Sequence, residues 1–376
     1  MEAKIVDICD ILHKTYNASI LKDIPYEDIK KYFLLIAKKY KDGTKGNLAL
    51  MNIIYNTFRG VLPSPKFISG PMSITYQTSS KYNKKIYIFG EYHGKNNECK
   101  QIEEAKTDKF IDVTEYFKKI FSNTDKFIDF YIEDELFRTI KPSREQDFLN
   151  MLRYDFDNCL NPRKRSKCNY KTVRTHFVDS RIIQKGSRLV ASNKIQSLIF
   201  DTQKDKSQLK KHLYTIIELS KLNTYEELTD YILKLSLIIP IIKKEIERSD
   251  LSQDLIIKNF RQIIINGYKQ LFKIEDWNSI QWTNWNEVRK YKDILINIQA
   301  PLVDIYTVAR MFKTFKKTEY LPSKPMYIIY YSGNNHANMV RNFLTSLSFY
   351  NRNSRYMYLD RWTRCLNVEG IDINFK

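Results

Sequence analysis

The sequence predicts an α/β fold with a mainly parallel central sheet, and three observations point there. Four short runs, residues 86–90, 127–132, 173–178 and 327–332, are of strand length and rich in Ile, Tyr, Phe and Val. Three of the four lack clean alternation, which suits strands covered on both faces. The first three are separated by stretches with helical spacing, and alternation of strand and helix argues for parallel crossovers.

Taken in order, residues 1–65 read as an N-terminal helical cap. Ile5, Ile11 and Leu12 fit a short first helix, and Ile29, Tyr32, Phe33, Ile36 and Ala37 recur at helical spacing over 26–40. Gly43 and the Pro63-Ser64-Pro65 stretch are breakers that end it. Residues 73–78 alternate at period two and predict an antiparallel edge strand beside the run at 86–90. Helices are expected over 113–121 and 144–160, each followed by a strand. Residues 205–318 then show helical periods alone, over 209–219, 225–235, 255–271 and 288–315, so a large helical insertion precedes the last strand. A closing helix is expected over 334–347. The layout that follows is a cap at 1–65, an α/β core at 66–202 and 320–376, and a helical insertion at 203–319.

Bulk composition bounds the function. At 376 residues with 43% hydrophobic content, the chain can bury a sizeable core and is not of the disordered class. Its first residues lack the basic-then-apolar layout of a secretion signal. The greasiest stretch, 231–242, contains Lys234 and Pro240 and is too short to span a bilayer. No transmembrane segment and a cytoplasmic location are therefore expected. The five cysteines (Cys9, Cys99, Cys159, Cys168 and Cys365) show no metal-finger spacing, and a sparse, odd count fits reduced thiols. No Walker loop, dinucleotide fingerprint, Gly-x-Ser-x-Gly elbow or His-Glu-x-x-His motif is present.

The formal charge of +19 attracts phosphate-rich or acidic partners at long range. Its densest cluster is Arg163, Lys164, Arg165 and Lys167, continued by Lys171 and Arg174. This is either a nucleic-acid footprint or a solvated basic surface. Trp277, Trp282 and Trp285 either stack bases or pack a helix onto the core.

Each of the four runs ends on ionisable residues. The first leads into Glu91 and His93, the second into Glu133-Asp134-Glu135, the third holds His176 and leads into Asp179 and Arg181, and the fourth leads into His336. In sheets covered on both faces, ligands bind in the crevice beyond the carboxyl ends of the strands. Two of the ends share a Gly-x-x-His pattern, Gly90 to His93 and Gly333 to His336, where glycine lets the backbone turn off the strand. A carboxylate beside an imidazole can serve as general base and orienter, or as two metal ligands. Glu133, directly at a strand end, is the acid chosen from its cluster. Asp179 and Arg181 share one face if the strand continues, as site residues or as an internal salt bridge.

A strand closing on Gly-Glu-x-His-Gly, a later one closing on Glu and a last one closing on Gly-x-x-His resemble the TIKI/TraB and erythromycin-esterase/ChaN-like superfamily, over about 84–181 and 324–345. The Tyr-, Asn- and Lys-rich composition is also similar in style to proteins of large DNA viruses. The resemblance implies a hydrolase acting on an ester or peptide bond. In its metal-dependent branch, His93, His336 and Glu133 or Glu91 hold a divalent ion (Mn, Co or Zn) that activates water. In its other branch, His93 is the base, Glu91 or Glu133 orients it, and Arg181 stabilises the oxyanion. Two alternatives stand beside it. One is a non-enzymatic, virion-packaged basic protein that binds nucleic acid. The other is a metal-dependent nuclease whose basic loops hold phosphates.

Overall fold

The computed structural model describes residues 67–92, 99, 110–135, 148–159, 167–180, 219, 221–279, 292–317, 321–356, 365–368, 371 and 373. The chain divides into two units, Met1–Pro65 and Lys66–Lys376, and every described residue belongs to the second. The expected helical cap therefore lies outside the described residues.

The amino-terminal half of this unit carries strands β1 (Phe67–Ser69), β2 (Pro71–Ser79), β3 (Lys84–Glu91) and β4 (Phe110–Asp112), helix α1 (Val113–Asn123), strand β5 (Ile128–Glu135), helix α2 (Phe148–Phe156) and strand β6 (Val173–Asp179). Helices α3 (Tyr225–Ile238), α4 (Pro240–Glu247), α5 (Gln253–Leu271), α6 (Ile274–Asn278) and α7 (Lys292–Met311) follow. Strand β7 (Tyr327–Gly333), helix α8 (Asn334–Ser346) and strands β8 (Tyr350–Tyr356) and β9 (Cys365–Asn367) close it. The fold is α/β.

A six-stranded sheet runs β6-β5-β7-β3-β2-β8. The four apolar runs are its four neighbouring parallel strands, β6, β5, β7 and β3. Every residue of β6 is buried, as are all but one of β3 and of β7, which is why these sequences do not alternate. Register sets the edge: Lys85 through Glu91 pair with Tyr327 through Gly333, and Ile128 pairs with both Tyr327 and Val173. All four carboxyl ends thus fall on one side. Strand β7, the last of the four in the chain, enters the middle of the sheet, between β3 and β5. A small second sheet has the order β4-β1-β9.

One face of the large sheet presents Ile86, Ile88, Tyr131, Val178, Ile328 and Tyr330 to the helical block and α8. The other presents Ile74, Tyr87, Phe89, Phe130, Phe177 and Tyr331 to α1 and α2. The helices begin where local chemistry allows. Asp112 caps α1 by accepting from the amides of Thr114 and Glu115 at 2.8 and 2.9 Å. Thr224 and Glu227 close a capping box on α3, and Pro240 opens α4.

Two expectations are corrected, and strand β8 was not expected. The strand at 73–78 is not an edge, because β2 pairs with β3 on one side and β8 on the other. Strand β8 was invisible because Tyr-Asn-Arg-Asn-Ser-Arg-Tyr offers no apolar alternation and lies largely in solvent. The thiols expected to be reduced form disulfides, Cys99–Cys365 and Cys159–Cys168, while Cys9 lies outside the described residues. Partners 266 and 9 residues apart leave no spacing motif, so the count misled and took with it the thiol argument for a cytoplasmic location. Among the described residues no helix is long and apolar enough to cross a membrane.

Candidate functional site at the carboxyl edge of the sheet

Strand alternation and one helix start bring two expected residues together. On β5, Asp129, Tyr131 and Glu133 point to the helical-block face, and Glu133 leaves the strand at its carboxyl end. Beside it, β7 ends at Gly333, whose amide donates to Glu133 Oε2 at 2.7 Å. The chain passes there into α8, and its third residue, His336, sets Nε2 3.1 Å from Glu133 Oε1. The other ring nitrogen, Nδ1, meets Asp304 Oδ1 of α7 at 2.8 Å. Glu133, His336 and Asp304 are 3%, 6% and 0% exposed, so a buried acid–imidazole–acid row lies along the edge.

Burial disfavours the charged imidazole, but Asp304 and Glu133 outweigh it and raise the His336 pKa to about 10. At neutral pH the ring is an imidazolium with both nitrogens engaged. Glu133 and His336 are adjacent donors, and a carboxylate behind the far ring nitrogen is what metal-bound imidazoles commonly have. As an imidazolium, however, His336 would have to give up its Nε2 proton before it and Glu133 could serve a divalent ion as two donors. Among the described residues no group of three or more His, Cys, Asp or Glu is placed to hold one. The expected third donor, His93, lies outside them.

Helix α8 is anchored against β2 and β3. Ser73 Oγ donates to Asn334 Oδ1 at 2.8 Å, and Arg341 reaches Ser73 Oγ at 2.9 Å and the Ile88 carbonyl at 3.2 Å. Neither glycine of the Gly-x-x-His pairs provides the sharp turn expected of it. Gly333 has φ −55° and ψ 145°, open to any residue. Gly90 serves close approach instead: a Cβ there would stand 2.4 Å from Asn334 Oδ1 and 2.6 Å from Ser73 Oγ.

The remaining expected residues fall elsewhere. Glu91 shares its strand face with Phe89, on the α1 and α2 side, and accepts a hydrogen bond from Tyr331. It does not join Glu133 and His336. Asp134 turns away from Glu133 by strand alternation and pairs with Arg153 at 3.3 Å, which relieves the run of three acids. Asp179 is buried at the end of β6. His176, expected with the strand-end groups, sits at mid-strand. Its Nε2 meets Asp129 Oδ1 at 2.7 Å, Arg310 Nε donates to its Nδ1 at 3.4 Å, and Tyr131 stacks on it at 4.3 Å. Burial, with Arg310 and Arg174 nearby, pushes its pKa down to about 3 despite the Asp129 bond. His176 is a neutral core histidine. Around it Arg174 bonds Asp129 at 2.6 Å, and Arg310 and Lys313 hold Glu245 at 3.1 and 2.7 Å.

His93 and Arg181, with Arg163, Lys164 and Arg165 of the basic cluster, lie outside the described residues; Lys167 is described and exposed. The side chains of Trp277, Trp282 and Trp285 are also outside them. Asp304 was missed. Its signal was there: one acid in the apolar run Leu302-Val303-Asp304-Ile305-Tyr306, a residue that a buried helix tolerates only when paired. Comparison with known protein families, curated proteins and solved structures finds no match.

Proposed function

We propose that the chain is a hydrolase of an ester or peptide bond, of the TIKI/TraB and erythromycin-esterase/ChaN-like kind, working at the row Asp304–His336–Glu133. One observation supports it above the others: an imidazole fixed from behind by one buried carboxylate and facing a second, at the edge where parallel sheets take their ligands. Glu133 takes the proton of an attacking water, and the imidazolium of His336 returns one to the leaving group. Asp304 holds the ring in place and favours its charge. In a metal-dependent alternative, which replaces those proton-transfer roles, deprotonated His336 would hold a divalent ion with Glu133 and His93, and the ion would supply Lewis-acid activation of the water.

The test is hydrolysis of aryl esters and short peptides, with and without Mn²⁺, Co²⁺ or Zn²⁺. Glu133→Gln and His336→Asn should each lower the rate about 10²-fold or more while the unfolding transition persists. A Glu133→Gln protein that is folded and fully active would end this reading.

A further inference from the structure

At the opposite end of the sheet, on the α1 and α2 face, the strands present a surface of another kind. Register aligns Tyr350 of β8, Thr78 of β2, Lys85 of β3 and Tyr327 of β7 in one row. The next row holds Asn353, Tyr76 and Tyr87. Directly paired residues project to the same face, so these side chains form one patch. Tyr76 lies flat on Tyr87, with ring centroids 4.3 Å apart and planes 7° from parallel. The Lys85 ammonium stands 5.7 Å over the Tyr327 ring. Arg352 occupies the bulge between the Tyr76 and Gln77 pairs and leans onto this face. Its Nε reaches Thr78 Oγ1 at 3.1 Å, and its guanidinium lies 5.8 Å from the Tyr350 ring.

Four tyrosines and two cations therefore share one face across four strands, with Tyr87 buried beneath Tyr76. Tyr350 is 65% exposed, and Tyr76, Lys85 and Tyr327 are half-buried. The segments that carry these side chains, residues 71–90 and 321–356, contain no Asp or Glu. Flat rings on a rigid sheet stack bases of any sequence, and interleaved Arg and Lys neutralise the phosphates between them. A duplex hides its base faces, so such a surface suits a single strand.

We propose that this corner of the sheet binds single-stranded nucleic acid. The site is separate from the Asp304–His336–Glu133 row and does not depend on how that row is read.

The probe is a fluorescent oligothymidylate, titrated by anisotropy at about 50 and about 200 mM salt. The wild type should bind it, and affinity should fall steeply with salt. Tyr350→Ala, at an exposed position of an edge strand, should weaken binding about tenfold, the loss of one stacking partner. Arg355 pairs with Ile74 on the same face, and Arg352→Ala combined with Arg355→Ala should lower the salt slope by about 0.7 per lost phosphate contact. Glu133→Gln should bind as the wild type does. The proposal is overturned if the oligonucleotide does not bind. Equal binding of the Tyr350 and Arg352/Arg355 variants overturns it too, as does tighter binding of a duplex or of an Asp-rich peptide.

Discussion

His176 and His336 both lie on the sheet face that meets the helical layer, and both touch buried carboxylates, yet their charge states are opposite. His336 stands between two acids, and its pKa rises to about 10. His176 has one acid and two guanidiniums for neighbours, and falls to about 3. The sign of the surrounding charge decides between equally buried rings. His176 leaves a trace in stability. Its ordinary value is 6.5, so between pH 6.5 and 3 the unfolded chain takes up a proton that the folded chain refuses. Its contribution is complete above pH 6.5 and is lost as pH falls, by up to about 1.4 kcal/mol per pH unit. Urea unfolding at a series of pH values should show this slope in the wild type, and His176→Gln should flatten it. Parallel profiles for the two proteins would mean that His176 titrates normally.

The junction of β3, β7 and α8 is the element on which the site depends. Gly90 lies opposite Ser332 in register, one residue before Glu91, and a methyl group there would also stand 3.1 Å from Asn334 Cα. That atom belongs to the first residue of α8 and cannot yield without moving the helix that carries His336. Gly90→Ala should therefore cost about 1–3 kcal/mol of stability, and the proposed hydrolysis should fall further than the folded fraction does. Gly267 in α5 is the control, since a Cβ there would meet only Met339 Sδ at 3.9 Å. Gly267→Ala should be neutral or stabilising by about 1 kcal/mol. If both variants behaved alike in urea unfolding, the close approach at Gly90 would have no consequence. The two Gly-x-x-His patterns marked this junction in the sequence, but for the wrong reason. A contact between residues 90 and 334 cannot be read from either strand alone.

Across the whole molecule, Cys99–Cys365 joins the segment after β3 to the last strand over a separation of 266 residues. Closing so long a loop removes freedom from the unfolded chain, so reduction should cost about 2–4 kcal/mol. Urea midpoints of the wild type and of Cys99→Ser, both without reductant so that Cys159–Cys168 stays closed, measure it. An unchanged midpoint would mean that the pair is not formed in solution. A large loss would favour surroundings in which disulfides persist.

The burial of β3, β6 and β7 was legible because a strand covered on both faces must be apolar throughout, and that needs no knowledge of its neighbours. The polar residues at strand ends, the helical insertion and the closing helix were legible for the same local reason. Strand order was not: nothing in residues 327–333 says that β7 enters between β3 and β5 rather than at an edge. Side-chain partners were not legible either. Glu91 ends β3 and Glu133 lies near the end of β5, but alternation sends them to opposite faces, and Asp304 meets His336 only because α7 crosses that edge. Periodicity is a property of one segment, whereas register, crossing and charge state belong to pairs of segments distant in the chain. Those pairings, formed only on folding, set His336 between two acids at the sheet edge and His176 beside two guanidiniums in the core.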